Sequence, residues 1–227
     1  MRAKGSSTIH RRDFLGSLMA TGAIGLSALT PFRLDAMQQM GQGETSGAEL
    51  DQWLGRMRGK HRQVFDSPHN LGGMPFAWTR VFLMTNQIVG AAEEDVQAVI
   101  VLRHDAIPLA MDSALWKKYN FTKVFEVVDP EKKQPITSNV FWKPKEGSLP
   151  LPGMGIDELM KSGVLIGVCN MAITVYSQAV AEKMKMKAED VKKEWIAGIL
   201  PGIQLVPSGV LAVNRAQEQG CAYCFAG

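Results

Sequence analysis

Cys169 is the residue of this chain whose type and position best suit chemistry. It follows the apolar run 164–168 and precedes a helical pattern that starts near Met171. At such a strand-to-helix turn, unpaired backbone N–H groups and the helix dipole favour a thiolate over a thiol. Cys169 is therefore a candidate nucleophile or persulfide carrier, and the alternative is a small buried thiol that only packs.

Polar residues that follow neighbouring apolar runs are predicted to join Cys169. His104 comes after the run 98–102 and is the predicted proton partner of the thiol. Ligands of open parallel sheets bind at the carboxyl ends of the strands, and these positions therefore define the predicted site. Its predicted binding residues are Asn86, Arg103, Asn170, Ser208 and Gly209.

The other two cysteines, Cys221 and Cys224, have the spacing of a redox Cys-x-x-Cys pair. A redox motif places its first cysteine at a helix start, whereas Cys221 follows Gly220 at the end of a predicted helix. If residues 221–225 form a terminal strand, the two thiols face opposite sides and are too far apart to join. A structural role, or pairing with Cys169 or another subunit, is favoured over a redox pair.

The sequence predicts no metal and no cofactor. Its histidines show no zinc-binding spacing with the cysteines, and a site assembled in space from Cys169 and His104 is the alternative considered. The chain has no P-loop, no Gly-x-Gly-x-x-Gly after a strand and no Gly-x-Ser-x-Gly elbow. These absences remove the usual support for nucleotide hydrolysis and serine esterase chemistry.

The elements that position these residues are predicted to alternate between strands and helices. Short apolar runs typical of buried parallel strands lie at 81–85, 98–102, 123–128, 164–168 and 203–206. Helical patterns lie at 50–65, 86–96, 111–119, 156–160, 171–184, 188–197 and 210–218. The alternation predicts an α/β fold, a three-layer sandwich with a mostly parallel sheet. The proline-rich insertion 129–155 is predicted to be a long loop, functional or mobile.

The N-terminus carries a targeting pattern. Arg11-Arg12 precedes the uncharged run Phe14 to Phe32, whose glycines, serines and threonines make it less apolar than a spanning helix. Residues 1–36 are therefore predicted to be a twin-arginine signal, read by the twin-arginine export machinery. The expected location is the periplasm, with an N-terminal anchor if the signal is not cleaved. A flexible linker, 37–50, then leads to a single domain, 51–227.

Charge and hydropathy argue against nucleic acid as a partner and against a membrane span after the signal. After residue 36 the chain has as many acidic as basic residues, so it lacks the basic stripe that nucleic-acid binding needs. No apolar run beyond the signal is long enough for a membrane span.

Three motifs in the downstream half share a family pattern. They are Gly163-Val164-x4-Val168-Cys169-Asn170, Leu205-Val206-Pro207-Ser208-Gly209-Val210 and Gln217-x-Gln219-Gly220-Cys221-Ala222-Tyr223. Together with a strand ending in Arg103-His104, they resemble the DsrE/DsrF-like sulfur-relay family over roughly residues 79–226. The resemblance implies a three-layer α/β sandwich, a homotrimer or homohexamer, and a persulfide on Cys169. The export signal and the proline-rich insertion distinguish this chain from the cytoplasmic relay subunits.

Three functional hypotheses follow. The first is an exported protein that binds or transfers sulfane sulfur through Cys169, with a sulfur donor or acceptor as its partner. The second is a non-catalytic oligomeric module that binds a small ligand or a partner. The third is a thiol-disulfide protein that uses Cys221 and Cys224.

Overall fold

A computed structural model describes residues 45–129, 132 and 134–227. The predicted signal and most of the predicted linker lie outside the described residues. The described chain is α/β, with five parallel strands in the order β4-β3-β2-β1-β5. The strands are β1 (His61–Ser67), β2 (Val96–Leu102), β3 (Leu165–Cys169), β4 (Gln204–Val206) and β5 (Ala222–Phe225). The predicted α/β fold with a parallel sheet is confirmed.

Eight helices flank this sheet in the described part of the chain. They are α1 (Gly47–Leu54), α2 (Met74–Ile88), α3 (Ser113–Tyr119), α4 (Phe121–Val124), α5 (Ile156–Lys161), α6 (Asn170–Met184), α7 (Ala188–Ala197) and α8 (Gly209–Glu218). Short 3-10 segments occupy Leu71–Gly73, Glu93–Asp95 and His104–Ala110. None of the helices in this part of the chain has the length and apolar character that crossing a membrane requires.

The sheet carries an apolar cluster on each face, which makes the architecture three-layered. In β2, Val99 and Val101 pack into one cluster with α1 and α8, while Ile100 and Leu102 pack into the other. The second cluster is larger and takes side chains from α2, α6 and α7. Because β2 is buried on both faces, its sequence is a continuous apolar run, the pattern from which this strand was predicted.

The first predicted strand is wrong, and the first predicted helix is right only at its start. Residues 81–85 belong to α2. Of the predicted helix 50–65, residues 50–54 are in α1, whereas residues 61–65 are in β1. Val81 is exposed, whereas Thr79 and Leu83 are buried. An apolar residue on the exposed face of α2 therefore joins the buried ones into a continuous apolar run that is typical of a strand. In β1 the first residues are exposed or half-buried and only the later ones are buried, so the strand lacks a continuous apolar run.

Two further predicted elements are wrong. The predicted helix 86–96 is absent, because α2 ends at Ile88 and Gly90 follows with a φ of 97°. Residues 123–128 contain the end of α4 rather than a strand, and Val128 forms only an isolated antiparallel bridge with Pro135. The predicted strands 98–102 and 164–168 and the predicted helices 171–184, 188–197 and 210–218 agree with the structure to within a residue or two.

The described residues of the proline-rich insertion are irregular, as predicted, but they pack against the core. Ile136, Phe141 and Met154 are buried in the larger apolar cluster. The Asn139 side chain is 5% exposed, and its Nδ2 donates to the carbonyls of Leu109 and Met111 at 2.8 Å each. The insertion is thus tied to the chain that follows β2.

Candidate functional site

The candidate site lies at the carboxyl edge of the sheet. All five strands are parallel, so their last residues meet at one edge, where ligands of such sheets bind. The strands end at Ser67, Leu102, Cys169, Val206 and Phe225. The polar residues that follow these ends are His69, Asn70, Arg103, His104, Asp105, Asn170 and Ser208.

Cys169 occupies the predicted strand-to-helix turn. It is the N-cap of α6, and its Sγ accepts a hydrogen bond from the backbone N–H of Ala172 at 3.3 Å. Cys169 is 5% exposed. The Cys169 Sγ therefore lies at a helix start with a backbone N–H as its donor.

Arg103 lies at the same edge, held by a buried carboxylate. Its Nε and Nη2 donate to Oδ1 and Oδ2 of Asp66 at 2.6 and 2.9 Å, and Asp66 is 4% exposed. The hydrogen bond to Asp66 raises the pKa of Arg103 despite partial burial, and the charges of Asp66, Tyr223 and Cys169 add to this effect. Leu102 pairs with Val168 in the parallel register, so the backbones of Arg103 and Cys169 follow side by side at this edge.

Tyr223 and Gly209 complete the surroundings of Arg103. The Tyr223 hydroxyl donates to Asp66 Oδ2 at 2.9 Å, and desolvation together with this hydrogen bond raises the pKa of Tyr223. At Gly209 a Cβ would lie 2.6 Å from the Cβ of Arg103, so glycine permits the close approach of α8 to this side chain. Asp66 was not among the predicted site residues, although its signal in the sequence is a carboxylate directly after the apolar residues Val64 and Phe65.

His104 does not pair with Cys169 as predicted. Its ring lies edge-on to the ring of Tyr176 at 5.6 Å, and the Tyr176 hydroxyl is 3.3 Å from His104 Nδ1. The ring also lies 5.9 Å from that of His69. Among the residues that the structure describes, no hydrogen bond or ring contact joins His104 to Cys169.

His69, His104 and Asp105 form a polar cluster beside these rings. His69 Nδ1 is 2.9 Å from Asp105 Oδ2, and the backbone N–H of Asn70 donates to Asp105 Oδ1 at 2.8 Å. Burial opposes ionisation of Asp105, but the neighbouring His104 and His69 side chains and the hydrogen bond from the Asn70 N–H outweigh it and lower the pKa of this carboxyl group. Burial, with the Asp105 charge, raises the pKa of Tyr176 to about 12. The three clustered side chains are of types that bind transition metals.

The cluster borders an open cleft of about 510 Å³. The lining includes apolar and acidic groups, among them Phe125, Glu126, Val128 and Asp129, as well as His69 and Asp105. His69 and Asp105 were not among the predicted site residues. His69 follows β1 by two residues, and the misassigned β1 concealed that position.

The remaining predicted binding residues have different positions. Asn86 does not follow a strand, because it lies in the last turn of α2 and donates from Nδ2 to the Phe82 carbonyl at 2.9 Å. Asn170 is buried in the first turn of α6. Ser208 is the N-cap of α8, and its Oγ accepts from the N–H of Leu211 at 3.2 Å. Asn170 and Ser208 are at the predicted edge, and Asn86 is not.

Cys221, directly before β5, and Cys224, within it, pack on opposite faces of the sheet. Cys221 is buried in the smaller apolar cluster, with its Sγ 3.5 Å from Met57 Sδ, while Cys224 packs partly against the larger cluster. Neither thiol, nor that of Cys169, forms a disulfide. This arrangement fits the structural role that the sequence favoured for them.

Comparison with known proteins adds no relative. No family model matches the chain, and no curated protein matches its sequence.

Proposed function

We propose that this protein accepts sulfane sulfur on Cys169 as a persulfide, after export through the twin-arginine pathway to the periplasm. The observation that carries the proposal is the Cys169 Sγ, which accepts the Ala172 N–H at the start of the 15-residue helix α6. Arg103, a positively charged residue, follows Leu102, which pairs with Val168 directly before Cys169. The resemblance of the 163–170 and 205–210 motifs to the DsrE/DsrF-like family supports the same role.

The transfer step needs no external oxidant. The Cys169 thiolate attacks the terminal sulfur of an inorganic polysulfide, and a new S–S bond forms at Sγ. The donor's own S–S bond breaks, and its electron pair leaves with the shortened polysulfide as a thiolate. The proton of the thiol goes to solvent when the thiolate forms. The N–H of Ala172 and the helix start stabilise the sulfur charge before the attack.

Burial of Cys169 limits the size of the donor. A side chain that is 5% exposed admits a small inorganic donor more readily than a large protein donor. Arg103 favours an anionic donor, although Asp66 already neutralises part of its charge. We therefore assign small anionic sulfane-sulfur compounds as the substrate class.

Mass spectrometry of the protein after incubation with polysulfide tests this proposal. We expect the peptide that contains Cys169 to gain the mass of one sulfur atom, and the Cys169→Ser variant to lose this gain. The matched control is Cys224→Ser, which removes a more exposed thiol and should leave the adduct on Cys169 unchanged. Adduct on Cys224 alone, or none at all, would refute the proposal.

A second function is favoured by the open cleft, which a small ligand could occupy without any reaction at Cys169. In this alternative the chain is a non-catalytic binding module, assembled as a homotrimer or homohexamer. Exposed apolar side chains on and directly after α2 supply a surface for such assembly: Trp78, Val81, Ile88 and Val89. An absence of persulfide on Cys169 would leave this function as the better account.

A further inference from the structure

The loops after β1 and β2 bring two imidazoles and one carboxylate together. These strands pair in parallel register, with Ser67 opposite Leu102, so the residues that follow them lie side by side. His69 comes from the first loop, and His104 and Asp105 come from the second. One ligand atom from each of the three residues lies within 4.8 Å of the others. We propose that His69, His104 and Asp105 bind a divalent transition metal, with Zn²⁺ as the representative ion.

The distances between these groups suit a metal of this size. Ligands bound at roughly 2.0–2.1 Å in a tetrahedral site are about 3.4 Å apart. His69 Nδ1 and Asp105 Oδ2 are 2.9 Å apart, and His104 Nδ1 and Asp105 Oδ2 are 3.7 Å apart. The two separations bracket the required value. Small rotations of the exposed imidazoles therefore suffice to replace the His69–Asp105 hydrogen bond by bonds to the ion.

Neighbouring groups hold the ligands in position. The Asn70 N–H donates to Asp105 Oδ1, which leaves Oδ2 directed at the two histidines. The Tyr176 hydroxyl is within hydrogen-bond distance of the His104 ring, at 3.3 Å from Nδ1 and 3.4 Å from Nε2. Such partners fix the orientation of ligating side chains in metal sites, and their loss typically lowers metal affinity 10- to 100-fold.

The donor set selects the class of metal. Two histidines and one carboxylate bind Zn²⁺ in catalytic sites and Fe²⁺ in facial-triad sites, whereas Mg²⁺ and Ca²⁺ prefer oxygen ligands alone. The side chains of His69 and His104 are 48% and 59% exposed, so the remaining coordination positions face solvent. His69 and Asp105 also line the cleft, so a small ligand there could reach the ion.

This site is independent of the proposed persulfide chemistry. Its ligands come from the loops after β1 and β2, whereas Cys169 ends β3. Removing Cys169 therefore leaves the proposed ligands in place, and the two proposals fail separately.

Isothermal titration of untagged, chelator-treated full-length protein with Zn²⁺ tests the site. The background is the Cys169→Ser, Cys224→Ser double variant, which prevents Zn²⁺ binding through these two thiols. We expect one Zn²⁺ per chain, and an affinity that falls at least 10-fold in His69→Gln and in His104→Gln. The matched control is His61→Gln, an exposed histidine at the start of β1 that should bind Zn²⁺ like the parent.

Substitution with Co²⁺ gives a second readout. Visible absorption bands of a four-coordinate Co²⁺ site should appear in the parent and in His61→Gln and disappear in the two cluster variants. Circular dichroism checks that all variants are folded, which is expected because both cluster histidines are exposed. An absence of Zn²⁺ binding would overturn the proposal. Binding of equal affinity in the parent, His69→Gln and His104→Gln would place the metal elsewhere and overturn it too.

Discussion

Arg103 shows how a single side chain can be fixed beside a reactive position. Asp66 binds it through two hydrogen bonds, and a bidentate pair of this kind holds a guanidinium in one orientation. The Tyr223 hydroxyl in β5 donates to the same carboxylate. Residues of β1, of β5 and of the loop after β2 therefore hold the Arg103 side chain in place. The positive charge near Cys169 is therefore part of the rigid sheet edge rather than of a flexible surface side chain.

Cys221 is expected to make the free energy of unfolding decrease as the pH rises in the alkaline range. Burial raises the pKa of this thiol from its ordinary value of 9.0, and the charge of Arg62 opposes only part of the effect. The folded state thus keeps the proton at pH values where the unfolded chain loses it. The resulting stability is present below pH 9.0 and is lost as pH rises through the folded-state pKa.

Urea unfolding of the wild-type protein and Cys221→Ala, from about pH 7 to about pH 10.5, measures this effect. Alanine removes the titrating group and also a constant amount of packing against Met57. We expect the difference in unfolding free energy between the two proteins to narrow above about pH 9, because only the wild type loses the thiol contribution. The tyrosines are common to both proteins and cancel. A difference that stays constant with pH would contradict the interpretation.

Whether a strand could be predicted from the sequence depends on how many of its residues are buried. Strands β2 and β3 could be predicted because both faces are covered and their sequences are continuous apolar runs. Strand β1 could not, since its first residues are exposed or half-buried. Residues 81–85 of α2 have the sequence pattern of a strand, because the exposed Val81 is apolar and hides the helical spacing of the buried residues.

A site residue could be predicted only where the strand before it was assigned correctly. Cys169, Arg103, Asn170 and Ser208 were found because the strands before them were assigned correctly. His69 was missed because the strand before it was read as a helix. The contact between the loops after β1 and β2 depends on strand pairing, which a single sequence does not contain.

Asn139 is the polar anchor of the insertion, and its removal should destabilise the fold. In Asn139→Ala the carbonyls of Leu109 and Met111 lose their shared donor, and the N–H of Phe141 loses the Oδ1 acceptor. Leaving a buried polar group unsatisfied costs on the order of 1–3 kcal/mol, and three groups lose a partner here, so we expect a loss of about 3 kcal/mol or more in unfolding free energy.

Chemical denaturation measures this loss against a matched control. Asn86→Ala also removes a side-chain hydrogen bond, but from a half-exposed turn at the end of α2, where water can replace it. Its cost should stay below about 1 kcal/mol. Equal losses in the two variants would show that Asn139 does not anchor the insertion.

For the whole molecule, the burial of the cysteine thiols bears on the proposed export to an oxidising compartment. An oxidising compartment favours disulfides, yet all three cysteines remain unpaired in the structure. Cys169 and Cys221 are buried, which protects a thiol from chance oxidation, and Cys224 is half-exposed. Under the proposed twin-arginine export, in which the domain folds before it crosses the membrane, the buried thiols would reach the periplasm in reduced form.

Export itself is tested by replacing Arg11 and Arg12 with lysine. The two positions keep their charge, so a general electrostatic role would survive, whereas a receptor that reads paired arginines should reject the variant. Fractionation of cells should place the wild-type protein in the periplasm and the Arg11→Lys, Arg12→Lys variant in the cytoplasm. The matched control, Arg2→Lys, changes a basic residue outside the pair and should be exported normally. Periplasmic recovery of the paired-lysine variant at the wild-type level would exclude the twin-arginine route, and with it the protection that folding before export would give the Cys169 thiol.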